Sequence, residues 1–155
     1  MKITFREIKN NQKKENICRS IINDLPLWFG ISESNQEYSL NVKKYDFIGI
    51  YDEQEEIGFV SIKNNNEFVA ELYVLGIIKK YHHKGIGTKV IDYICKDLRK
   101  KGIKYLEVKT LDGSKESEEY RKTRMFYEKI GFIPLDTLKN EWGEENPCLI
   151  MIKKL

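Results

Sequence analysis

The sequence predicts an α/β (α+β) fold, one β-sheet flanked by helices in the order β-α-α-β-β-β-α-β-α-β. Three observations carry this. From Phe47 the hydrophobic period changes from helical to strand-like. A nearly continuous apolar run at residues 68–78 has the composition of a central strand covered on both faces. A strongly amphipathic helical pattern then follows at residues 85–101. With 155 residues, 41% of them hydrophobic, ten glycines and three prolines, the chain is expected to fold as a single domain over residues 1–155.

Taken in order, residues 2–8 alternate apolar and polar (Ile3, Phe5, Ile8 nearly in phase), which suggests a first strand. Residues 10–22 place Ile17, Ile21 and Ile22 on one helical face, and the stretch from Leu25 through Pro26 to Gly30 breaks that helix. Ser32 or Ser34 offers an N-cap oxygen for a second helix running to about Tyr45. Residues 47–51, 57–62 and 68–78 then read as three consecutive antiparallel strands, the last interrupted by one carboxylate, Glu71. In the helix at 85–101, Ile86, Val90, Ile94 and Leu98 recur at four-residue steps beside Ile91 and Cys95, and Gly102 ends it. A strand at 105–110, a helix at 117–130 with Thr123, Phe126, Tyr127 and Ile130 in its stripe, and a final strand at 148–152 complete the order. Residues 112–116 are the loose stretch, and Lys153 and Lys154 read as a solvated end.

Composition narrows the function classes. A surplus of 27 basic over 24 acidic residues is too small to imply nucleic acid or an anionic membrane, although the run from Lys79 to Lys84 is locally basic. Cys18, Cys95 and Cys148 are odd in number and lack a CxxC pair, which argues against a disulfide framework or a zinc site and for thiols in a reducing cytoplasm. No window has the roughly 20 apolar residues of a membrane span or a signal-peptide core, so the mature protein is expected to begin where the sequence does.

The junction Tyr81-His82-His83-Lys84-Gly85-Ile86-Gly87-Thr88 joins the apolar strand to the strong helix. A helix N-terminus offers unpaired N–H groups and partial positive charge to a phosphate, and glycine removes the side chain that blocks close approach. Val90 stands where a dinucleotide fingerprint needs a third small residue, and the Gly-Lys-Ser/Thr of a P-loop is missing. A tight strand-to-helix turn that merely needs glycine is the bland alternative.

This junction resembles the Arg/Gln-x-x-Gly-x-Gly/Ala motif of the GCN5-related N-acetyltransferases (GNAT superfamily), with His82 at its first position. Two stretches carry the resemblance. Residues 70–77 with the glycine loop look like the fourth strand and third helix of the family, and residues 126–132 match its Tyr-x-x-x-Gly-Phe signature. Tyr120 stands where relatives often have asparagine. The resemblance implies a mixed, mostly antiparallel central sheet of roughly six or seven strands with about four helices. It also implies transfer of an acetyl group from acetyl-coenzyme A, as cosubstrate, to a primary amine by direct attack in a ternary complex, without a metal. His82, His83, Lys84, Gly85, Ile86, Gly87 and Thr88 would cradle the pyrophosphate, and Gly76, Ile77 and Ile78 would pair with pantetheine, an N–H near Ile77 serving the oxyanion. A catalytically inactive coenzyme A-binding sensor or docking module of the same fold is the competing class, against which retention of Tyr127 speaks.

Acetyl transfer needs a neutral amine, stabilisation of the carbonyl oxygen and a proton for the departing thiolate. Holding an alkylamine of pKa near 10.4 neutral at pH 7 costs roughly 4–5 kcal/mol, so a base is useful. By resemblance Tyr127 is the acid and Glu71 the base; burial of Glu71 should raise its pKa. The structural alternatives are an ion-paired Glu71 and a Tyr127 that only packs in its helix stripe. Adjacent His82 and His83 lack an acidic cluster and read as phosphate-loop residues, not metal ligands. Trp28, Phe29 and Trp142 are candidates for the acceptor pocket or simply core. The acceptor stays open among polyamines, aminoglycosides, amino acids and protein N-termini; no nucleic acid or membrane partner is expected, and a homodimer is compatible with the fold.

Overall fold

The computed structural model describes residues 1–29 and 32–155. Its elements follow the order β1 (Ile3–Glu7), α1 (Asn11–Asn23), α2 (Ser32–Asn41), β2 (Asp46–Asp52), β3 (Glu55–Asn64), β4 (Val69–Ile77), α3 (Ile86–Lys100), β5 (Tyr105–Leu111), α4 (Glu118–Lys129), β6 (Ile133–Leu138) and β7 (Cys148–Lys154). The strands hydrogen-bond in the order β1-β2-β3-β4-β5-β7-β6, a mixed sheet in which β4–β5 is parallel and β1–β2, β2–β3, β5–β7 and β6–β7 are antiparallel. Two compact units are distinguished, Met1–Lys63 with Tyr73–Tyr93, and Asn64–Leu72 with Ile94–Leu155. Gly30, the end of the expected helix break, and the Ser32 side chain lie outside the described residues; Ser34 falls inside α2 and is not its cap.

In the first unit, α1 starts where Asn10 accepts the Lys13 N–H on its side-chain oxygen at 2.9 Å, satisfying one of the orphan donors of a helix start. Its apolar face, Ile17, Cys18, Ile21 and Ile22, is buried on a cluster that includes Phe47, Phe59 and Val74. Phe47 and Phe59 stack with centroids 5.1 Å apart. Each fully buried side chain of this size contributes roughly 1.5–3 kcal/mol, so the apolar stripe, not helix propensity, fixes α1 on the sheet.

Two glycines let chain segments approach in this unit. A Cβ on Gly58 would lie 2.5 Å from the Gly76 carbonyl oxygen and 3.2 Å from Ile77 Cα, and one on Gly76 would lie 2.8 Å from Ile21 Cγ2. Gly76 is therefore required by α1 packing onto β4. The antiparallel sense of β3 and β4 follows from the bonds Asn65 N–H to Val69 O and Ile78 N–H to Ile57 O, in which one partner's number falls as the other's rises.

In the second unit, the β4–β5 ladder matches Val69, Ala70, Glu71 and Leu72 with Tyr105, Leu106, Glu107 and Val108. All of β5 pairs with β7. Strand β6, which the sequence did not suggest, is exposed along all but its last residue and carries Pro134; its register slips between Pro134 and Asp136. A proline is tolerated at such an edge because it lacks only a donor that a central ladder would need. Of the two C-terminal lysines, Lys154 is exposed as expected, whereas Lys153 departs from expectation. Lys153 is half-buried and its Nζ donates to the Ile130 carbonyl at 2.5 Å, closing the C-terminal end of α4, where a cation meets the negative end of the helix.

Candidate functional site

The loop between β4 and α3 belongs to the first unit. After Ile78 a 3-10 turn, Lys79–Tyr81, begins with the Lys79 N–H donating to Asp24 Oδ2 at 2.9 Å. His82 places Nε2 2.6 Å from the Ile77 carbonyl oxygen. Beyond it, His83 (φ 60°) and Gly85 (φ 75°) both occupy the left-handed region and bracket Lys84. Successive turns of this kind point main-chain N–H groups into one concavity, an anion-binding arrangement. His83, Lys84, Gly85 and Thr88 are exposed and Gly87 is half-buried, while Ile86 is buried and anchors the start of α3. A Cβ on Gly85 would meet nothing within 4 Å, and the first turn of α3 carries no acidic residue. The tip is thus open, cationic and set at a helix N-terminus.

Backbone direction sorts the three residues expected to pair with pantetheine, Gly76 and Ile77 of β4 and Ile78 just beyond it. Ile78 spends both backbone groups within the chain, its N–H on Ile57 O at 2.9 Å and its carbonyl on the Tyr81 N–H at 3.0 Å. That removes Ile78 from the pairing set. Along an antiparallel strand the N–H and C=O of successive residues point to alternate edges. Gly76, in phase with Ile78, faces β3. Ile77 and Leu75, the latter passed over by sequence reasoning, present theirs at the opposite edge, where the Ile77 carbonyl is already held by His82 Nε2.

In the second unit, Ser117 caps α4, which carries Tyr127. The Tyr127 ring is 6% exposed, with the Phe126 and Phe132 rings at 5.4 and 5.3 Å. Burial, with Tyr120 beside it, pushes the Tyr127 phenol above the ordinary tyrosine range, so its proton stays on at neutral pH. Tyr120 is itself raised by burial.

Glu71 is 5% exposed on β4, and Lys109 Nζ of β5 stands 3.7 Å from its Oε1 and 3.4 Å from Glu141 Oε1. Burial pulls the Lys109 ammonium down, but the carboxylates of Glu71, Glu141 and Glu107 outweigh it and hold the group above its ordinary value. Glu71 therefore has the lysine partner that its structural alternative called for. Lys109 was missed by sequence reasoning; the available signal was a charged residue inside an otherwise buried strand.

Trp28 and Phe29 are half-buried against the first unit's core. The Trp28 ring meets His82 edge-on at 5.2 Å, which brings an acceptor candidate and a loop candidate together. Phe29 leads into an aromatic series not singled out from sequence: Tyr38 at 5.9 Å, then Tyr73 5.6 Å from Tyr38, with Tyr45 4.9 Å from Tyr73 and Asn41 Nδ2 donating to the Tyr73 hydroxyl at 3.0 Å. Trp142 is half-buried in the second unit, between β6 and β7. Among the described residues no group of three or more His, Cys, Asp or Glu could hold a metal ion, and no helix is long and apolar enough to cross a membrane.

The chain shares this fold with a GNAT-family protein from Desulfovibrio desulfuricans, at a TM-score of 0.82 and 18% identity over 99% of each chain. The PaiA N-acetyltransferase of Thermoplasma acidophilum, in complex with coenzyme A, has a TM-score of 0.77 at 22% identity over 100% of each chain. A GNAT family acetyltransferase from Elizabethkingia anophelis with acetyl-CoA bound has a TM-score of 0.72 at 16% identity, covering 99% of this chain and 98% of that one. No curated protein sequence matches the chain. The family model described as Acetyltransferase (GNAT) domain matches residues 43–134, more than half of the sequence, including Glu71, the glycine loop and Tyr127. This protein belongs to the GNAT acetyltransferase family.

Proposed function

We propose that residues 1–155 act as one N-acetyltransferase domain, which moves an acetyl group from acetyl-coenzyme A to a primary amine of a small molecule or protein by direct attack in a ternary complex. The observation that carries this reading is the open, left-handed, glycine-bearing loop at the N-terminus of α3. Relatives of the same fold hold coenzyme A or acetyl-CoA. The cosubstrate supplies an activated thioester; the chain's residues bind it, orient it and manage protons. Main-chain N–H groups of residues 83–88 take the pyrophosphate, with Lys84 adding charge. The Leu75 backbone takes a pantetheine amide, and the Ile77 N–H, the carbonyl of that residue being held by His82, stabilises the developing oxyanion. Tyr127 gives its proton to the departing thiolate. Glu71, kept ready beside Lys109, receives the proton of the attacking amine, directly or through water. Trp28 and Phe29 serve the acceptor side.

The test is calorimetric titration of acetyl-CoA into the protein, with thiol release followed over a panel of polyamines, aminoglycosides, amino acids and peptide N-termini. Binding with amine-dependent thiol release supports the enzyme. Binding without release on any amine favours the docking module, and absence of binding removes the cosubstrate reading.

A thiol-release assay needs a protein whose own cysteines stay silent. No disulfide joins Cys18, Cys95 or Cys148, and all three are buried. Burial pushes the Cys18 thiol up to about 12 and the Cys148 thiol up to about 11, so little reactive thiolate forms near pH 8. Ellman's reagent is expected to titrate essentially no thiol in the native protein over the minutes of an assay, and all three after unfolding in guanidinium. A rapid native titration would show that one of these sites opens on that timescale.

A further inference from the structure

The base of the β4–α3 loop is fastened to the short turn between β2 and β3, a contact the acetyl-transfer chemistry above does not use. The Tyr81 hydroxyl donates to Asp52 Oδ2 at 2.8 Å, with Glu55 Oε2 at 3.2 Å as a second acceptor. Each carboxylate is itself fixed by its other oxygen. Asp52 Oδ1 accepts the Lys2 N–H at 2.8 Å, and Glu55 Oε1 takes Lys80 Nζ at 2.8 Å. Both carboxylates lie below their ordinary pKa, Asp52 chiefly through the Lys2 N–H and then the phenol, Glu55 chiefly through Lys80. The Tyr81 phenol is raised, first of all by its bond to Asp52. Donor and acceptors therefore keep their roles through the neutral range. Above the ring, Lys84 Nζ lies 5.6 Å and Lys80 Nζ 5.4 Å from its centroid. One aromatic side chain thus links a two-carboxylate anchor below to the lysine of the exposed tip.

The tip needs such support. His83 holds a left-handed backbone that an L side chain adopts at a cost, and Gly85 has nothing packed on it. We infer that Tyr81 is a positioning residue: with Asp52 and Glu55 it latches the loop in the shape that presents N–H groups to a diphosphate, and so sets affinity for that part of the cosubstrate. The inference rests on the acetyl-CoA reading of the loop. A loop ordered before binding loses less conformational freedom on binding, so the latch acts on affinity and not on the acyl-transfer step.

The test compares the full chain with Tyr81→Phe, Asp52→Asn, Asp52→Ala and the Tyr81→Phe/Asp52→Ala double variant. Binding is measured with acetyl-CoA and with S-acetylpantetheine, which lacks the diphosphate. Tyr81→Phe, which removes only the hydroxyl, is expected to raise the acetyl-CoA Kd about five- to tenfold. KM should rise in step, with kcat at saturation and S-acetylpantetheine binding unchanged. Asp52→Ala, which leaves Glu55 Oε2 as an acceptor, should lose affinity but no more than Tyr81→Phe does. Asp52→Asn, which keeps an oxygen acceptor, should retain most of the affinity, and the double variant should be no weaker than Tyr81→Phe. An unchanged acetyl-CoA Kd in Tyr81→Phe, or equal losses on both ligands, would overturn the latch. Failure of the unsubstituted chain to bind acetyl-CoA would overturn the reading of the loop itself.

Discussion

Tyr127→Phe should lower kcat about 10²-fold, some 2.7 kcal/mol of transition-state stabilisation, while the acetyl-CoA Kd stays within about twofold. The low end of the general-acid range is expected because the leaving thiolate, with a pKa near 8.5, departs more readily than an alkoxide and needs less help. The variant should fold, since the ring keeps its contacts with Phe126 and Phe132 and only the hydroxyl is lost. The pH profile supplies a second constraint. An acid must be protonated to act, so its contribution is lost as pH rises through its pKa, and burial places that point above the ordinary value of about 10. The unsubstituted enzyme should therefore show no loss of kcat attributable to Tyr127 up to about pH 9.5, only a rise as the amine loses its proton. An alkaline limb below pH 9 that disappears in Tyr127→Phe would contradict the buried phenol, and an unchanged kcat in the variant would return Tyr127 to the role of a packing residue.

The parts of the molecule legible in sequence are those whose cause is local and periodic. In α3 the four-residue recurrence of Ile86, Val90, Ile94 and Leu98 survives folding as a buried stripe, because helix geometry alone places those residues on one face. Tyr127 and the glycine loop were legible as a signature and as a junction between two strong elements. What escaped depends on partners distant in sequence. Lys109 beside Glu71, and Asp52 and Glu55 beneath Tyr81, are set by strand order and register, which no single window encodes. Gly76 stood out as a pantetheine contact, yet its lack of a side chain is demanded by Ile21 of α1. Strand β6 was hidden because an exposed edge strand bearing Pro134 has neither the burial nor the composition of the strands beside it.

Gly58→Ala is expected to cost about 1–3 kcal/mol of stability and, in the fraction that folds, roughly tenfold in kcat, although residue 58 touches no reacting group. The added Cβ would sit 2.5 Å from the Gly76 carbonyl oxygen and 3.2 Å from Ile77 Cα, and both neighbours are backbone, which cannot swing aside as a side-chain tip can. Either β3 retreats or β4 shifts. A shift of β4 moves Ile77, whose N–H we assign to the oxyanion, and misplacement by about 1 Å at such a donor costs on the order of 10²-fold, so a few tenths of an ångström should cost about tenfold. Gly113→Ala provides the control, since its Cβ would make only ordinary contact, at 3.6 Å, with the Arg124 guanidinium. The measurements are urea denaturation and kcat at saturating acetyl-CoA for both variants. Loss of stability without loss of kcat would mean that β3 absorbs the displacement and that Ile77 holds its place. Loss of both, in Gly58→Ala alone, would tie catalysis to the spacing of β3 and β4, because a donor on a packed strand is positioned by whatever the neighbouring strand permits.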